Sequence, residues 1–319
     1  MAKYQTDDSQ GFANSTHERG QTLALIAVML VGLIGMLGLV LDGGNLYLHR
    51  RELQNAADAG ALAGARVLAM DGTEAEADGA AQEYAVVRNE ADSALVTIST
   101  PGGGNPLVTV LAQAQVPMTF ARVLGINELS VNAQAQATFT TAGAGIGCAP
   151  LAIQDYDYDR GCYPGGPEYY IWDDTKDSDP ATGHIAGAYR GWLNLDCRGE
   201  NPPACGDAGA SDEKDWMRNG YPDAIESDTW IRGSSGVKSA VLTQAYPGQL
   251  LIIPLYTAIQ ELHPGKDYYR VVNFAAFRVT QVVSKSNPKG LKGCFEDYVN
   301  AAPPSGNPDR GVRTVILTQ

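Results

Sequence analysis

From Thr22 to Leu41 the chain runs twenty residues without a charge, and twelve of them are Leu, Ile or Val. That length matches the ~20 residues an α-helix needs to cross a hydrocarbon core of ~30 Å. On an insertion scale those twelve favour the bilayer by on the order of 5 kcal/mol before the smaller residues subtract. A soluble core helix keeps a polar stripe, and none interrupts this run. The chain as a whole has a mean hydropathy of −0.17, and no second run reaches spanning length, so one span is expected and the remainder faces water. Asp42-Gly43-Gly44-Asn45 follows directly where a signal peptide would carry small residues for cleavage, so a retained anchor is expected.

The apolar pattern does not stop at the span. Leu46, Leu53, Gly60 and Val67 recur every seven residues, with Ala56, Ala63 and Met70 in a neighbouring row. One helix therefore continues beyond the bilayer to about residue 70. Its face is small: Ala56, Gly60 and Gly64 are spaced by four, as are Ala57, Ala61 and Ala65. Rows of this kind admit a second helix backbone at close range, which makes these six residues the candidate partner interface and a route to an oligomer. Gly72 breaks the helix, and Thr73 with Glu76 forms a capping box for another. The period then changes to two over 95–99, 107–116 and 130–139, with a short helix predicted over 117–125, begun by Pro117 and ended by Gly125. The expected fold class is α+β in four parts: a polar leader (1–19), a transmembrane and extended assembly helix (20–70), a small α+β module (71–141) and a β-rich extracytoplasmic domain (142–319).

A net charge of −13 excludes a nucleic-acid partner, whose phosphates require a basic face. All five cysteines lie in the second half, and Cys197 and Cys205 bracket the loop CRGENPPAC, a candidate disulfide that fits a compartment outside the cytoplasm. The charges flanking the span, Lys3 and Arg19 before it and Arg50, Arg51 and Arg66 after it, do not by themselves set orientation. The second half also holds all four tryptophans and strands over 250–256, 268–283 and 312–318. Asp155, Asp157 and Asp159 alternate before Gly161 as candidate Ca²⁺ ligands, and Asp173, Asp174, Asp177 and Asp179 make a second acidic loop; the spacing is not that of an EF-hand. Two solvated acidic loops account for the same residues. His17, His49, His184 and His263 are scattered, and the chain has no H-E-x-x-H, Walker A or G-x-S-x-G element, so it reads as non-catalytic and without a resident cofactor.

Arg19-Gly20, the element DGGNLY from Asp42 to Tyr47, and the block from Arg51 to Ala65 containing Leu53-Gln54-Asn55-Ala56-Ala57-Asp58 resemble the N-terminal segment of the TadE/TadG-like proteins of tight-adherence (Flp) pilus assembly. Val108 to Thr138, with TFARVLGI at its centre, is similar to that family as well. The resemblance implies a single-pass envelope protein that supports assembly or adhesion of a pilus, with pilus machinery or pilin-like proteins as partners. It also implies that the C-terminal domain lies outside the cytoplasm. Two features depart from the family's range. Prepilin-type processing after Gly20 would want Glu at the fifth following position, where Leu25 stands, and there is no D-x-S-x-S metal-adhesion loop. A second class of function fits the same composition: a membrane-tethered extracellular module that binds glycan or Ca²⁺ through tryptophans, tyrosines and the acidic loops.

Overall fold

The computed structural model describes residues 18–162, 166–172, 184–185, 190–235, 238–283 and 289–318. One helix, α1 (Glu18–Leu68), is continuous over 51 residues, about 77 Å at 1.5 Å per residue and more than twice a hydrocarbon core. Its two halves face different surroundings. Side chains from Leu23 to Leu41 are exposed, whereas Leu53, Ala56, Ala57, Ala61, Ala65 and Leu68 are buried. Among the described residues this is the one helix long and apolar enough to cross a membrane by length and composition.

The helix ends where the chain reverses. Asp71 adopts φ +56°, the Gly72 amide donates to the Val67 carbonyl at 2.9 Å, and a Cβ on Gly72 would stand 2.4 Å from Val67 Cγ1. Only glycine fits that approach. Thr73 and Glu76 form the expected capping box at the start of α2 (Glu74–Gln82), which continues through a π turn over Glu83–Val87. Three strands follow, β1 (Ser93–Ser99), β2 (Leu107–Pro117) and β3 (Glu128–Thr141), paired antiparallel in sequence order. Val108, Val110 and Ala112 of β2 and Ala133, Ala135, Ala137 and Phe139 of β3 turn toward the helices and build one core with the buried face of α1. The alternation read from the sequence is thus a half-buried sheet under two helices.

The predicted helix over 117–125 is replaced by something shorter. Pro117 is the last residue of β2, and only Ala121–Leu124 makes a 3₁₀ turn, ended by Gly125 at φ +86°. Pro117 still pairs with Glu128 in the β2–β3 ladder, so the chain is extended where the helix was expected to begin.

The β-rich domain begins with β4 (Ala144–Gly145), β5 (Leu151–Gln154), β6 (Tyr169–Trp172), β7 (His184–Ile185) and β8 (Arg190–Gly199). It continues through α3 (Ala210–Asn219), β9 (Ile225–Glu226), β10 (Thr229–Ser234), α4 (Ser239–Leu242), β11 (Leu250–His263), β12 (Lys266–Val283) and β13 (Gly290–Glu296). Eight strands form one sheet in the order β10-β8-β5-β11-β12-β13-β6-β7, and a further β10–β12 pairing closes its first five strands into a ring. The long β11–β12 hairpin is its spine, pairing Leu250 with Arg278 at one end and His263 with Lys266 at the turn. Two apolar clusters fill the domain, one around Leu151, Phe277 and Phe295 and one around Leu195, Phe274 and Val312.

The last two strands, β14 (Tyr298–Asn300) and β15 (Val312–Thr318), leave that sheet. β15 pairs antiparallel with β3, placing Val315 opposite Phe139, and β14 lies parallel beyond it. The segment 312–318 is a strand as its sequence predicts, but it completes the sheet of the N-terminal module. The boundary expected at 141/142 is therefore crossed by a returning strand: β3 stays half-buried to its end at Thr141 and needs a partner on its free edge.

Candidate functional site

The small-residue rows have a role other than the expected one. Ala56, Ala57, Gly60, Ala61, Gly64 and Ala65 line the side of α1 that packs into the module. A Cβ on Gly60 would meet the Ala81 carbonyl oxygen at 2.9 Å and Ala85 Cβ at 3.1 Å. A Cβ on Gly64 would meet Val108 Cγ1 at 3.0 Å and the Ala77 carbonyl oxygen at 3.1 Å. The rows do admit a helix backbone at close range, but that helix is α2 of the same chain, returning along α1 after the reversal. The surface expected to receive a partner is filled from within, because α2 follows α1 after a tight turn and its alanines match the glycines.

What the structure builds instead is a clasp at each end of the half of α1 that lies beyond the apolar run. At the lower end, one residue past that run, Asp42 is only 8% exposed. Its Oδ1 accepts the Thr119 amide at 2.9 Å, and its Oδ2 accepts those of Phe120 and Ala121 at 3.0 and 2.7 Å. Three successive amides at the start of a turn form a cradle for an anion, here a carboxylate of the same chain. Beside it, the ring of Phe120 lies over Gly38, where a Cβ would stand 2.7 Å away. A groove of about 510 Å³ runs between the tip of the β2–β3 hairpin and α1, lined by Val31, Ile34, Gly35, Leu39, Val123 and Leu124 among others.

At the upper end the charges are reversed. Arg313 of β15 donates from Nη1 to the Ala69 carbonyl at 2.8 Å, just past the end of α1. A guanidinium there satisfies a terminal carbonyl and complements the negative end of the helix dipole. Arg313 also bonds Asp309 at 2.7 Å and approaches Asp297 at 3.2 Å and Asp71 at 3.6 Å. Arg160 lies 3.4 Å from Asp297. Burial pushes the Asp297 carboxyl up to about 7, and its hydrogen bond with Asp71 adds to the rise against the pull of Arg313 and Arg160. Asp71 is held below its ordinary value, first by that same hydrogen bond and then by Arg313. Of the two acids, Asp297 is the one whose environment favours the protonated form.

The candidate Ca²⁺ ligands already face a cation. Arg310 Nε bonds Asp155 at 2.8 Å, and its Nη1 lies 3.5 Å from Asp157. Asp159 contributes its amide, which donates to Tyr169 Oη at 2.9 Å. Among the described residues no group of three or more His, Cys, Asp or Glu side chains converges as a metal site. Asp155 thus pairs with a guanidinium from far along the chain, and the largely exposed Asp157 stands at its edge. The second acidic loop, with Asp173, Asp174, Asp177 and Asp179, lies outside the described residues.

Cys197 and Cys205 are bonded as the sequence suggests, and Cys162 pairs with Cys294 across 132 positions. Cys148 is free and buried, and burial drives its thiol pKa upward, so it is inert. Trp192 and Trp216 are core residues, so they offer no stacking platform of the kind a glycan module needs. His49 meets Glu52 at 3.1 Å and His263 meets the Pro202 carbonyl at 2.9 Å, each a local contact.

Sequence reasoning singled out neither clasp. Asp42 carried a signal, a lone acid closing an apolar run, but its partners are backbone amides and leave no residue pattern. Residues 20–67 match the model of a family described as putative Flp pilus-assembly TadE/G-like. No curated protein matches the chain. No solved structure matches it either.

Proposed function

We propose that the chain is a non-catalytic, single-pass membrane component of Flp-type pilus assembly, with residues 22–41 in the bilayer and the two sheets outside the cytoplasm. One observation carries the reading: the match over residues 20–67 coincides with a single helix. That helix offers apolar side chains to lipid along its first half and is clasped by a folded module along its second. Such a helix transmits position rather than chemistry. It holds the β-rich domain at a fixed height above the membrane, where pilus machinery or pilin-like subunits would meet it. Two disulfides fit an oxidising compartment and support the outward placement. The reading invokes no cofactor.

Deleting the gene in its host and counting surface pili by electron microscopy tests the role. Loss of pili, restored by the full chain, is expected; wild-type piliation in the deletion strain would end the proposal. Reporter fusions before Arg19 and after Gln319 test the orientation, and a cytoplasmic signal from the C-terminal fusion would reverse it.

A further inference from the structure

At the tip of the β2–β3 hairpin the chain exposes large apolar side chains in succession. Val123 is 86% and Leu124 82% exposed, with Ile126, Leu129 and Phe120 beside them. In water such a patch is a liability, and it marks an interaction surface. Three further observations say what covers it.

The first is level. The tip shares its groove with Val31, Ile34, Gly35 and Gly38, which lie three to ten positions before Leu41, or about 5–15 Å inside the end of the apolar run. If that run lies in a bilayer, so does the tip. The second is the backbone. Irregular chain survives in hydrocarbon only when its polar groups are satisfied internally. Here the amides of Thr119, Phe120 and Ala121 go to Asp42, that of Met118 to the Asn127 carbonyl, and those of Val123, Gly125 and Ile126 to carbonyls of the turn itself. The third is charge. From Met118 to Leu129 the ionisable side chains are Arg122 and Glu128; a guanidinium on a long apolar stem reaches headgroup phosphates from below, and Glu128 stands back from the tip at the start of β3. Above the tip, exposed Arg50 and Arg51 on α1, with Tyr47 70% exposed one turn below them, make the aromatic and basic belt of a membrane interface.

We infer that residues 118–127 are a second, non-spanning membrane anchor, inserted among the acyl chains of the leaflet at the C-terminal end of the span, with lipid filling the groove against α1. This rests on the reading that residues 22–41 cross the bilayer. Asp42 then serves a specific purpose, because it closes the backbone of a loop that must enter hydrocarbon and ties that loop to the span. With two points of insertion, the tilt of the module against the membrane plane is restrained.

The test uses the full chain in vesicles of phosphatidylcholine and phosphatidylglycerol, with an environment-sensitive fluorophore on Leu124→Cys, Leu33→Cys or Met70→Cys. The unsubstituted chain serves as the labelling blank. A fraction of the lipid carries a doxyl quencher on its acyl chain. Quenching at Leu124 within about twofold of that at Leu33 is expected, with none at Met70, which α1 carries about 40 Å beyond Leu41. Quenching at Leu33 but not at Leu124 overturns the inserted loop and leaves the span standing. A blue-shifted yet unquenched Leu124 probe means a second chain fills the groove, and overturns it equally. Quenching at neither position removes the span, and the inserted loop with it.

Discussion

Gly60 and Gly79 are both helical glycines, and their comparison isolates one energy. Alanine at either position gains helix propensity of about 1 kcal/mol over glycine. At Gly79 a new Cβ meets nothing within 4 Å, so Gly79→Ala keeps the whole gain. At Gly60 it meets the Ala81 carbonyl oxygen at 2.9 Å and Ala85 Cβ at 3.1 Å; the first is backbone and cannot rotate away. Overpacking of this kind costs about 1–3 kcal/mol. Because propensity cancels in the difference, Gly60→Ala should be less stable than Gly79→Ala by that same amount. The loss should fall on the α1–α2 contact. Hydrogen exchange of the α2 amides in the full chain, in lipid nanodiscs, reads it directly. Protection in Gly60→Ala should be lower by about fivefold to 150-fold, at 1.4 kcal/mol per factor of ten. Equal protection in the two variants would refute the packing argument and return the small-residue rows to a second chain.

Three further outcomes follow from the clasps and the disulfides. Asp297 binds its proton more tightly folded than unfolded, so its contribution is present in full below pH ~4 and is lost as pH rises to about 7. Asp71, whose value is lowered, acts only below that window. Melting temperatures should therefore fall from pH 4 to 7, and Asp297→Asn should flatten the decline; an unchanged slope would count against a raised Asp297. Asp42→Ala removes the acceptor of three amides, so in detergent the Arg122–Val123 bond should become open to trypsin while wild type resists; equal digestion would show that the tip is held otherwise. From loop length alone, losing the Cys162–Cys294 bridge over 132 positions should cost about 5 kcal/mol, against about 2.5 kcal/mol for the short Cys197–Cys205 loop. Calorimetry of Cys→Ser pairs gives the order, and a larger loss from the short loop would contradict it.

The parts legible in the sequence are those whose signal is periodic. The apolar run, its extension toward Met70, the capping box at Thr73 and the alternating strands around Val110 and Ala135 all follow the geometry of their element, because burial on one face requires it. The Cys197–Cys205 bond was legible too, since eight positions leave few geometries. Pairings between distant segments were not readable. The apolar pattern of Val312–Thr318 says strand but not which sheet. Asp155 and Asp157 say cation but cannot distinguish a metal from Arg310. The small rows of α1 say that a helix packs closely, and periodicity cannot tell a neighbour in the chain from a neighbour in the membrane. Asp42 marks itself as the acid that closes the apolar run, but its partners are not readable, because they are amides of a kind nearly every residue possesses.

The return of β15 to the first sheet has a consequence in time. Thr141 and Val312 bracket the whole β-rich domain, so β3 keeps an open edge until that domain has been made. Until then the nascent module shows unpaired strand backbone to its surroundings, and Ala69 lacks the guanidinium that closes α1. Both faults are repaired by one event, the docking of residues 312–318. A base built this way registers the completion of its own domain: it becomes rigid only after the domain it supports has been made, and a chain interrupted midway stays open and exposed to proteolysis.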